Sequence, residues 1–353
     1  MRLHSSWGVL EDTDGSILVW SMKTRENFRI RPAPGLVQFV ELLLAGVPVD
    51  WGIEELARRS GLRADIADRV LQTLLGRDAL IESYGGEDAN PPALASQVRF
   101  LEAFDRKGRE GAIVQRTIQE AHVAILGLGG LGSWVLMQFA MCGIGRITGV
   151  DHDIVEISNL GRQLLYTAED ALAGRAKVDA AAARLSLMTS GTEFRGVQRR
   201  IGTEEDLAPL LQDVDLLLLG FGNGQQHKTR DTAARCASNL GVPFLTYGVS
   251  SVGPLCIPGE TACFNCLFQA PELKKAKART DGAGLLRWMP TLRYVPWMTT
   301  SAAFACDEAI RYLSGFTELR LLNSYWEIDH LTGNVIPSPP PSRIGCEICG
   351  RET

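Results

Sequence analysis

Two groups of residues carry spacings that could do chemistry. At 127–132 the chain reads "GLGGLG", between the apolar run "HVAIL" and the helix-like "SWVLMQFAMCG". Gly127, Gly129 and Gly132 satisfy G-x-G-x-x-G. Glycines there let the backbone approach a phosphate, and the free N–H groups of the next helix point at it. Asp151 lies about 20 residues on, at the end of the next apolar run, where a carboxylate can accept hydrogen bonds from ribose hydroxyls. Alone, this pattern also describes an NAD or FAD enzyme, or a tight turn made for helix packing. The second group is two Cys-x-x-Cys pairs, "CFNC" at 263–266 and "CEIC" at 346–349, which in a reducing compartment read as metal ligands before disulfides.

Residues downstream of the glycine loop narrow the ligand. "DHDIVEISNLGRQLLY" and "GRAKVDAAAARL" place Asp153, Asn159, Arg162 and Lys177 after the ribose-binding acid. One buried pyrophosphate has little use for both an Arg and a Lys, whereas a triphosphate and the pyrophosphate that leaves it must be neutralised. ATP is the better fit; the alternative for Arg162 and Lys177 is a solvated pair of surface charges.

The elements that would position these residues emerge from periodicity. Residues 1–90 read as a small winged-helix-like α+β unit. "SILVW" and "FRI" are short strands, "GLVQFVELLLAG", "GIEELARRSG" and "RADIADRVLQTLLGRD" are helical, and "ALIES" is a last strand. "YGGEDANPPALAS" marks a linker. From about 121, strand-like runs ("HVAILG", "RITGVD", "EFRGVQRRI", "VDLLLLG", "PFLTYG") alternate with helical ones, which argues an α/β domain with a mostly parallel sheet.

Bulk composition limits the rest. With 353 residues, 45% of them apolar, the chain can bury a large core. No stretch approaches the ~20 apolar residues of a membrane helix, and the start lacks the apolar core of a signal peptide, so no membrane is expected and the cytoplasm is the expected location. The net charge is −5 with Lys and Arg scattered, which argues against nucleic acid. Cys142, Cys236, Cys256 and Cys306 sit in apolar contexts and are expected as small core residues.

The block "ILGLGGLGSWVL...GVDHDIVEISNLGRQ...GRAKVDAAAARL" resembles the E1-like adenylating superfamily (ThiF/MoeB/MccB type), over about 95–350. The resemblance implies a Rossmann-like E1 fold for 91–353 that activates a carboxylate as an acyl adenylate. It implies that Gly129, Gly130 and Gly132, with Gly127, line the phosphates. Asp151 would hold the ribose, and Asn159, Arg162 and Lys177 the triphosphate. Arg99 in "SQVRFLEAF" matches the arginine that reaches into the neighbouring subunit's site, implying a homodimer; a surface linker residue is the alternative. Cys263, Cys266, Cys346 and Cys349 match the family's two pairs around one Zn²⁺. Such a site is closed, with four thiolates and no position for water, and would tie "IPSPPPSRIGCEICG" back to the sheet. The rival, redox chemistry by one pair, lacks a thioredoxin-like context around Cys263.

Two departures stand against this pattern. After "VDLLLL" the superfamily carries an Asp that holds Mg²⁺; here "GFGNG" puts Gly222 there, with Asn223 beside it. Either another carboxylate such as Asp153 takes over, or adenylation is weakened or lost. Nor is a nucleophilic cysteine evident, since Cys306 falls on the apolar face of a helical pattern. Finally, the winged-helix-like unit ahead of an E1-like domain resembles proteins of ribosomal peptide natural-product pathways. There the unit binds a precursor's leader peptide as an added strand. The edge here would be "SILVWSM" or "ENFRIRP"; a dimerisation or packing role is the alternative. The first reading is thus an ATP-dependent enzyme that adenylates a peptide carboxylate or amide. The second is an inactive E1-like scaffold that delivers leader peptide to a partner such as a cyclodehydratase. A nicotinamide or flavin oxidoreductase rests on the glycine pattern alone.

Overall fold

The computed structural model describes residues 1–48, 50–81, 91–189, 191–220, 226–267, 293–338 and 346–349, with backbone only at 226, 227 and 267. Gly222 and Asn223 lie outside the described residues. The chain divides into two compact units, Met1–Arg116 and Thr117–Thr353.

In the first unit, β1 (Arg2–Leu3) is followed by a meander of β2 (Trp7–Glu11), β3 (Ile17–Ser21) and β4 (Asn27–Ile30). Three helices come next: α1 (Leu36–Ala45), α2 (Ile53–Ser60) and α3 (Ala64–Leu75). β5 (Leu80–Ile81) then returns to pair antiparallel with β1. The helices form where expected, for visible reasons. Leu36, Phe39, Val40 and Leu43 recur at helical spacing and are the buried stripe of α1. α2 has Glu54 and Glu55 in its first turn and Arg58 and Arg59 in its last, the charge order that complements the helix dipole. Both helices pack with α3 onto Trp7, Ile17 and Val19 in one apolar core.

One expectation changes here. β3, the "SILVW" strand, is the middle of the meander: Val19 faces Val9 on one side and Phe28 on the other, so β3 has no edge to offer. Of the two candidate edges only β4 remains, paired among the described residues with β3 alone. β2 escapes a sequence reading because "WGVLE" has no alternation; only its pairing with β3 makes it a strand. The linker region ends in α4 (Ala95–Phe104), which falls within the first unit. Glu102 on α4 is 2% exposed and takes a bidentate bond from Arg2 (2.8 and 2.5 Å) together with Ser5 Oγ (2.6 Å).

α5 (Gly111–Glu120) leads into the second unit, where the alternation predicted from sequence is found. Its elements are β6 (His122–Leu126), α6 (Gly132–Met141), β7 (Arg146–Val150), α7 (Ala168–Leu172), α8 (Lys177–Met188), β8 (Glu193–Val197), α9 (Glu204–Leu207), β9 (Leu216–Gly220), α10 (Gln226–Leu240) and β10 (Phe244–Tyr247). Strands β10-β9-β6-β7-β8 are parallel neighbours in that order. Covered on both faces, β9 reads "LLLL" with all four leucines buried.

Beyond 250 the sheet continues antiparallel through β11 (Ser251–Cys256), β12 (Trp326–Asp329) and β13 (Asn334–Pro337). α11 (Phe264–Leu267) and the long α12 (Val295–Ser314) lie between β11 and β12 in the chain. The chain builds β6, β7 and β8 to one side and then returns to place β9 on the other side of β6. That reversal leaves a crevice at the carboxyl ends of β6 and β9, the usual ligand position in such sheets. Among the described residues no helix is long and apolar enough to cross a membrane.

Candidate functional site

The glycine loop leaves β6 into this crevice. Gly127 adopts φ +89°, which side chains disfavour, and a Cβ on Gly132 would lie 1.8 Å from the Gly127 carbonyl oxygen, so only glycine lets α6 start this close to the strand. A Cβ on Gly129 would meet nothing within 4 Å, so the space above the loop is open.

Asp151 braces the loop. It is 7% exposed; Oδ2 accepts the Leu128 N–H (2.7 Å) and Oδ1 the Asp153 N–H (2.9 Å). Each oxygen keeps a lone pair, yet the first task of this carboxylate is to join the ends of β6 and β7. Tyr166, which no spacing argument singles out, holds the other side of the loop, its buried hydroxyl donating to the Leu128 carbonyl (2.7 Å). Burial, with Asp151 nearby, pushes that phenol well up, so it stays a donor.

Asp153 and Lys177 are brought together. Lys177 opens α8, its side chain 6% exposed, and Nζ lies 2.8 Å from Asp153 Oδ2. Burial pushes the Asp153 carboxyl up, but the hydrogen bond and charge of Lys177 outweigh it and hold the carboxyl below its usual range. Asn159 is 5% exposed and closes a 3-10 turn over Ile157–Asn159. Its Oδ1 accepts the Glu156 N–H (3.2 Å), and its backbone carbonyl takes the N–H groups of Arg162 and Gln163. Asn159 therefore shapes the strap that presents Arg162.

Arg162 lies over the loop. A Cβ on Gly130 would be 3.6 Å from its Cγ and Cδ, and only 2.2 Å from Met298 Cε of α12. Its carbonyl accepts Trp134 Nε1–H of α6 (3.1 Å), and Nη1 donates to the Ser158 carbonyl (2.5 Å). No carboxylate pairs with its guanidinium among the described residues. Arg99 belongs to the first unit, exposed on α4 with Nη2 3.4 Å from Ser96 Oγ. Met298 was invisible to spacing arguments, since it follows Gly130 only after most of the sheet has been built.

Donors for a divalent cation are less well arranged. Asp151, His152 and Asp153 bring one ligand atom each within 4.8 Å. Asp151 is occupied by two backbone N–H groups and Asp153 by Lys177, so the trio is not a preformed cage.

The four cysteines do form one. Cys263, Cys266, Cys346 and Cys349 are all buried, with Sγ···Sγ separations of 3.9, 3.5 and 3.2 Å for 263–266, 263–346 and 266–349. A tetrahedral Zn²⁺ with ~2.3 Å bonds asks for about 3.8 Å between sulfurs, so the set fits a closed structural site. The Cys263 N–H points at Cys349 Sγ (3.3 Å). Beside it Arg230, 7% exposed, stacks 3.7 Å over the Phe264 ring, where it can offset thiolate charge. Cys236, Cys256 and Cys306 are buried, as expected, and Cys142 is half-buried. Burial raises the Cys306 thiol far above its usual range, which disfavours the thiolate a nucleophile needs.

A glycine loop at the switch point of a parallel sheet, with a four-cysteine clasp in the same unit, defines an E1-like α/β protein. The chain belongs to the ThiF family, whose model matches residues 94–347, and so to the E1-like adenylating superfamily. It is 32% identical over 205 residues to the sulfur carrier protein ThiS adenylyltransferase of Bacillus subtilis (strain 168), a match covering 57% of this chain and 56% of that protein. The chain thus spans about half the length of that relative. Among solved structures, E. coli MccB with ATP superposes with a TM-score of 0.72 at 19% identity, covering 99% of both chains. PaaA superposes with a TM-score of 0.72 at 20% identity, covering 96% of this chain and 99% of that one. At such identity the likeness is one of fold.

Proposed function

We propose that this protein is an ATP-dependent adenylating enzyme of ribosomal peptide natural-product biosynthesis. In this reading residues 1–90 capture a precursor's leader peptide, and 91–353 activate a carboxylate or amide of that peptide. The observation that carries it is the gathering of Asp151, Arg162 and the Lys177–Asp153 pair around an open glycine loop. Glycine N–H groups cradle the phosphates, Asp151 receives the ribose, and Arg162 and Lys177 stabilise charge as pyrophosphate departs, by electrostatic positioning rather than proton transfer. A peptide oxygen attacks the α-phosphorus and the bond to the bridging oxygen breaks, so that pyrophosphate leaves with an acyl adenylate if the oxygen is a carboxylate's, or with an O-adenylated imidate and a released N–H proton if it is an amide's. Arg99 would reach the site of a second copy in a homodimer, in the cytoplasm, and Zn²⁺ would hold the C-terminal segment.

Related proteins support the reading. MccB has been solved with ATP, and as the microcin C7 biosynthetic enzyme in complex with N-formylated MccA. A peptide strand laid along β4 would use the free edge of the meander. The test is pyrophosphate release with candidate precursor peptides, beside Arg162→Ala. Release that depends on peptide and is abolished in the variant supports the reading; release that survives the substitution removes the site.

A second reading has its own support. Lys177 is already paired with Asp153, and Gly222 carries no carboxylate to offer Mg²⁺. An E1-like scaffold delivering leader peptide to a partner modifying enzyme would bind peptide tightly yet gain no thermal stability from Mg-ATP, whereas a working nucleotide site gains it by mass action.

A further inference from the structure

β4 ends the meander, and the hydrogen bonds of the hairpin before it fix what its open side presents. The Ser21 N–H donates to the Glu26 carbonyl (2.8 Å), which makes Ser21 and Glu26 a bonded pair. Bonded pairs recur at every second residue of an antiparallel ladder, so Val19 with Phe28 and Ile17 with Ile30 are bonded as well. The N–H and C=O groups of Asn27 and Arg29 therefore face away from β3. Among the described residues no other strand takes them.

The two faces of this edge differ in charge. On the outer face Arg29 is already satisfied, its Nη1 bonded to Asp12 Oδ2 (2.6 Å) and Ser16 Oγ (2.7 Å). On the inner face Phe28 is half-buried against the core, with the Trp7 ring 5.9 Å away. Arg77 follows α3 by two residues, its N–H bonded to the Leu74 carbonyl (3.2 Å), and lays its guanidinium 4.7 Å from the centre of the Phe28 ring. A ring face holds a guanidinium in place without neutralising it. Arg77 is exposed, and no carboxylate among the described residues pairs with it. Around β4 the excess is of the same sign: residues 23–31 hold Lys23, Arg25, Arg29 and Arg31 against Glu26.

We propose that this edge selects an acidic strand: the peptide residue opposite Phe28 is Glu or Asp, and Arg77 receives its carboxylate. The proposal rests on the leader-capture reading of the first unit and adds to it the chemistry of the peptide. Directly opposite residues point to one face with their Cβ atoms about 4.5–5.5 Å apart. The side chain opposite Phe28 thus rises beside that ring, where a carboxylate reaches the guanidinium lying over it. The planar fork of arginine meets both oxygens of a carboxylate. The peptide residues on either side fall opposite Asn27 and Arg29 and point to the outer face, where Asp12 already takes the charge of Arg29. The selection is for one acidic position, not for a generally acidic peptide.

The experiment pans a displayed library of random short peptides against the full chain as wild type, Arg77→Glu and Asn27→Pro. The wild type should enrich Asp or Glu at one position of a β-forming segment. Arg77→Glu should enrich Lys or Arg at that same position, a reversal that loss of structure could not give. In fluorescence anisotropy the acidic peptide chosen by the wild type should bind Arg77→Glu about tenfold or more weakly, the scale of one charge-assisted hydrogen bond. Placing Lys at the acidic position of the peptide should recover that loss. Asn27→Pro removes an outward N–H and leaves the bonds to β3 in place, so it should bind neither peptide. An acid preference that persists in Arg77→Glu, or peptides that need Asn27 yet show no acid preference, overturns the role of Arg77 and leaves strand capture standing. Peptides that bind wild type and Asn27→Pro alike, or a wild type that selects no peptide, overturn strand capture at β4, and the acidic position falls with it.

Discussion

Lys177 Nζ sits 2.8 Å from Asp153 Oδ2, a nearly buried ammonium bonded to a carboxylate that is half in water. The pair is asymmetric: Asp153 can turn to solvent if Lys177 is lost, but Lys177 has nowhere to go if Asp153 is lost. Lys177→Met should therefore cost the unliganded protein little and abolish nucleotide-induced stabilisation together with pyrophosphate release. Asp153→Asn should do the reverse. It leaves a buried cation short of a partner, which costs about 1–3 kcal/mol, and ATP phosphates should restore it, so the ATP-induced rise in melting temperature exceeds that of the wild type. Thermal unfolding of both variants with and without Mg-ATP is the measurement. Identical shifts in all three proteins would show that Lys177 never meets the ligand.

The brace at Asp151 predicts a stability effect that needs no ligand. Its two oxygens accept backbone N–H groups of Leu128 and Asp153 across the ends of two neighbouring strands. Asp151→Ala leaves both donors unsatisfied at a buried position and should destabilise the second unit by about 2–4 kcal/mol. Asp151→Asn keeps one acceptor and should cost roughly half. Urea unfolding gives the difference directly. A loss confined to nucleotide affinity, with unchanged stability, would mean that the ribose contact is the residue's only role.

Legibility in the sequence depends on the range of each signal. The glycine loop, Asp151 and the alternation of strands and helices are local patterns, fixed by backbone geometry and by burial of both sheet faces, and they survive in the structure. The two cysteine pairs carry their own spacing in the same way. Long-range relations left no such trace. Nothing in "WGVLE" announces a strand, nothing near residue 90 shows that Arg2 is bonded to Glu102, and neither Tyr166 nor Met298 lies at a readable distance from the glycine loop. Asp151 and Asn159 illustrate a further limit: residue type suggested ligand contacts, while the hydrogen bonds show both shaping the loops that carry Leu128 and Arg162.

Glu102 supplies a pH dependence with a definite sign. Burial works to raise its carboxyl, but the hydrogen bonds and charge of Arg2, with the Ser5 hydroxyl, outweigh burial and hold it below its usual range. A carboxyl depressed in the folded state contributes stability that is present above its unfolded pKa, about 4.3, and is lost as pH falls through the folded value. Between pH 7 and 3 the first unit should therefore lose more stability in the wild type than in Glu102→Gln, whose deficit at neutral pH is already in place. Chemical unfolding followed by Trp7 fluorescence at several pH values tests this. Parallel curves for the two proteins would show that the pair contributes nothing through ionisation.

The cysteine clasp closes a large stretch of chain, since Cys263 and Cys346 are 83 positions apart yet their sulfurs lie within 3.5 Å. Four thiols this close repel once deprotonated, so their burial makes physical sense only with a cation among them or with the protons retained. The two cases separate experimentally. With a metal, purified protein should contain about one Zn²⁺ per chain. Cobalt substitution should give the thiolate-to-metal absorption of a tetrahedral sulfur site, and a strong chelator should lower the melting temperature as ligand binding free energy is withdrawn from the folded state. Cys346→Ser should reproduce much of that loss and open the C-terminal pair to protease, while a substitution at Cys142, which has no share in the cluster, should not. Arg230→Gln, which removes the cation stacked on Phe264 beside the thiolates, should speed metal release to the chelator without changing the cobalt spectrum. Full melting temperature in metal-free protein would mean that the four sulfurs are held by packing with Ile348 and the surrounding core alone.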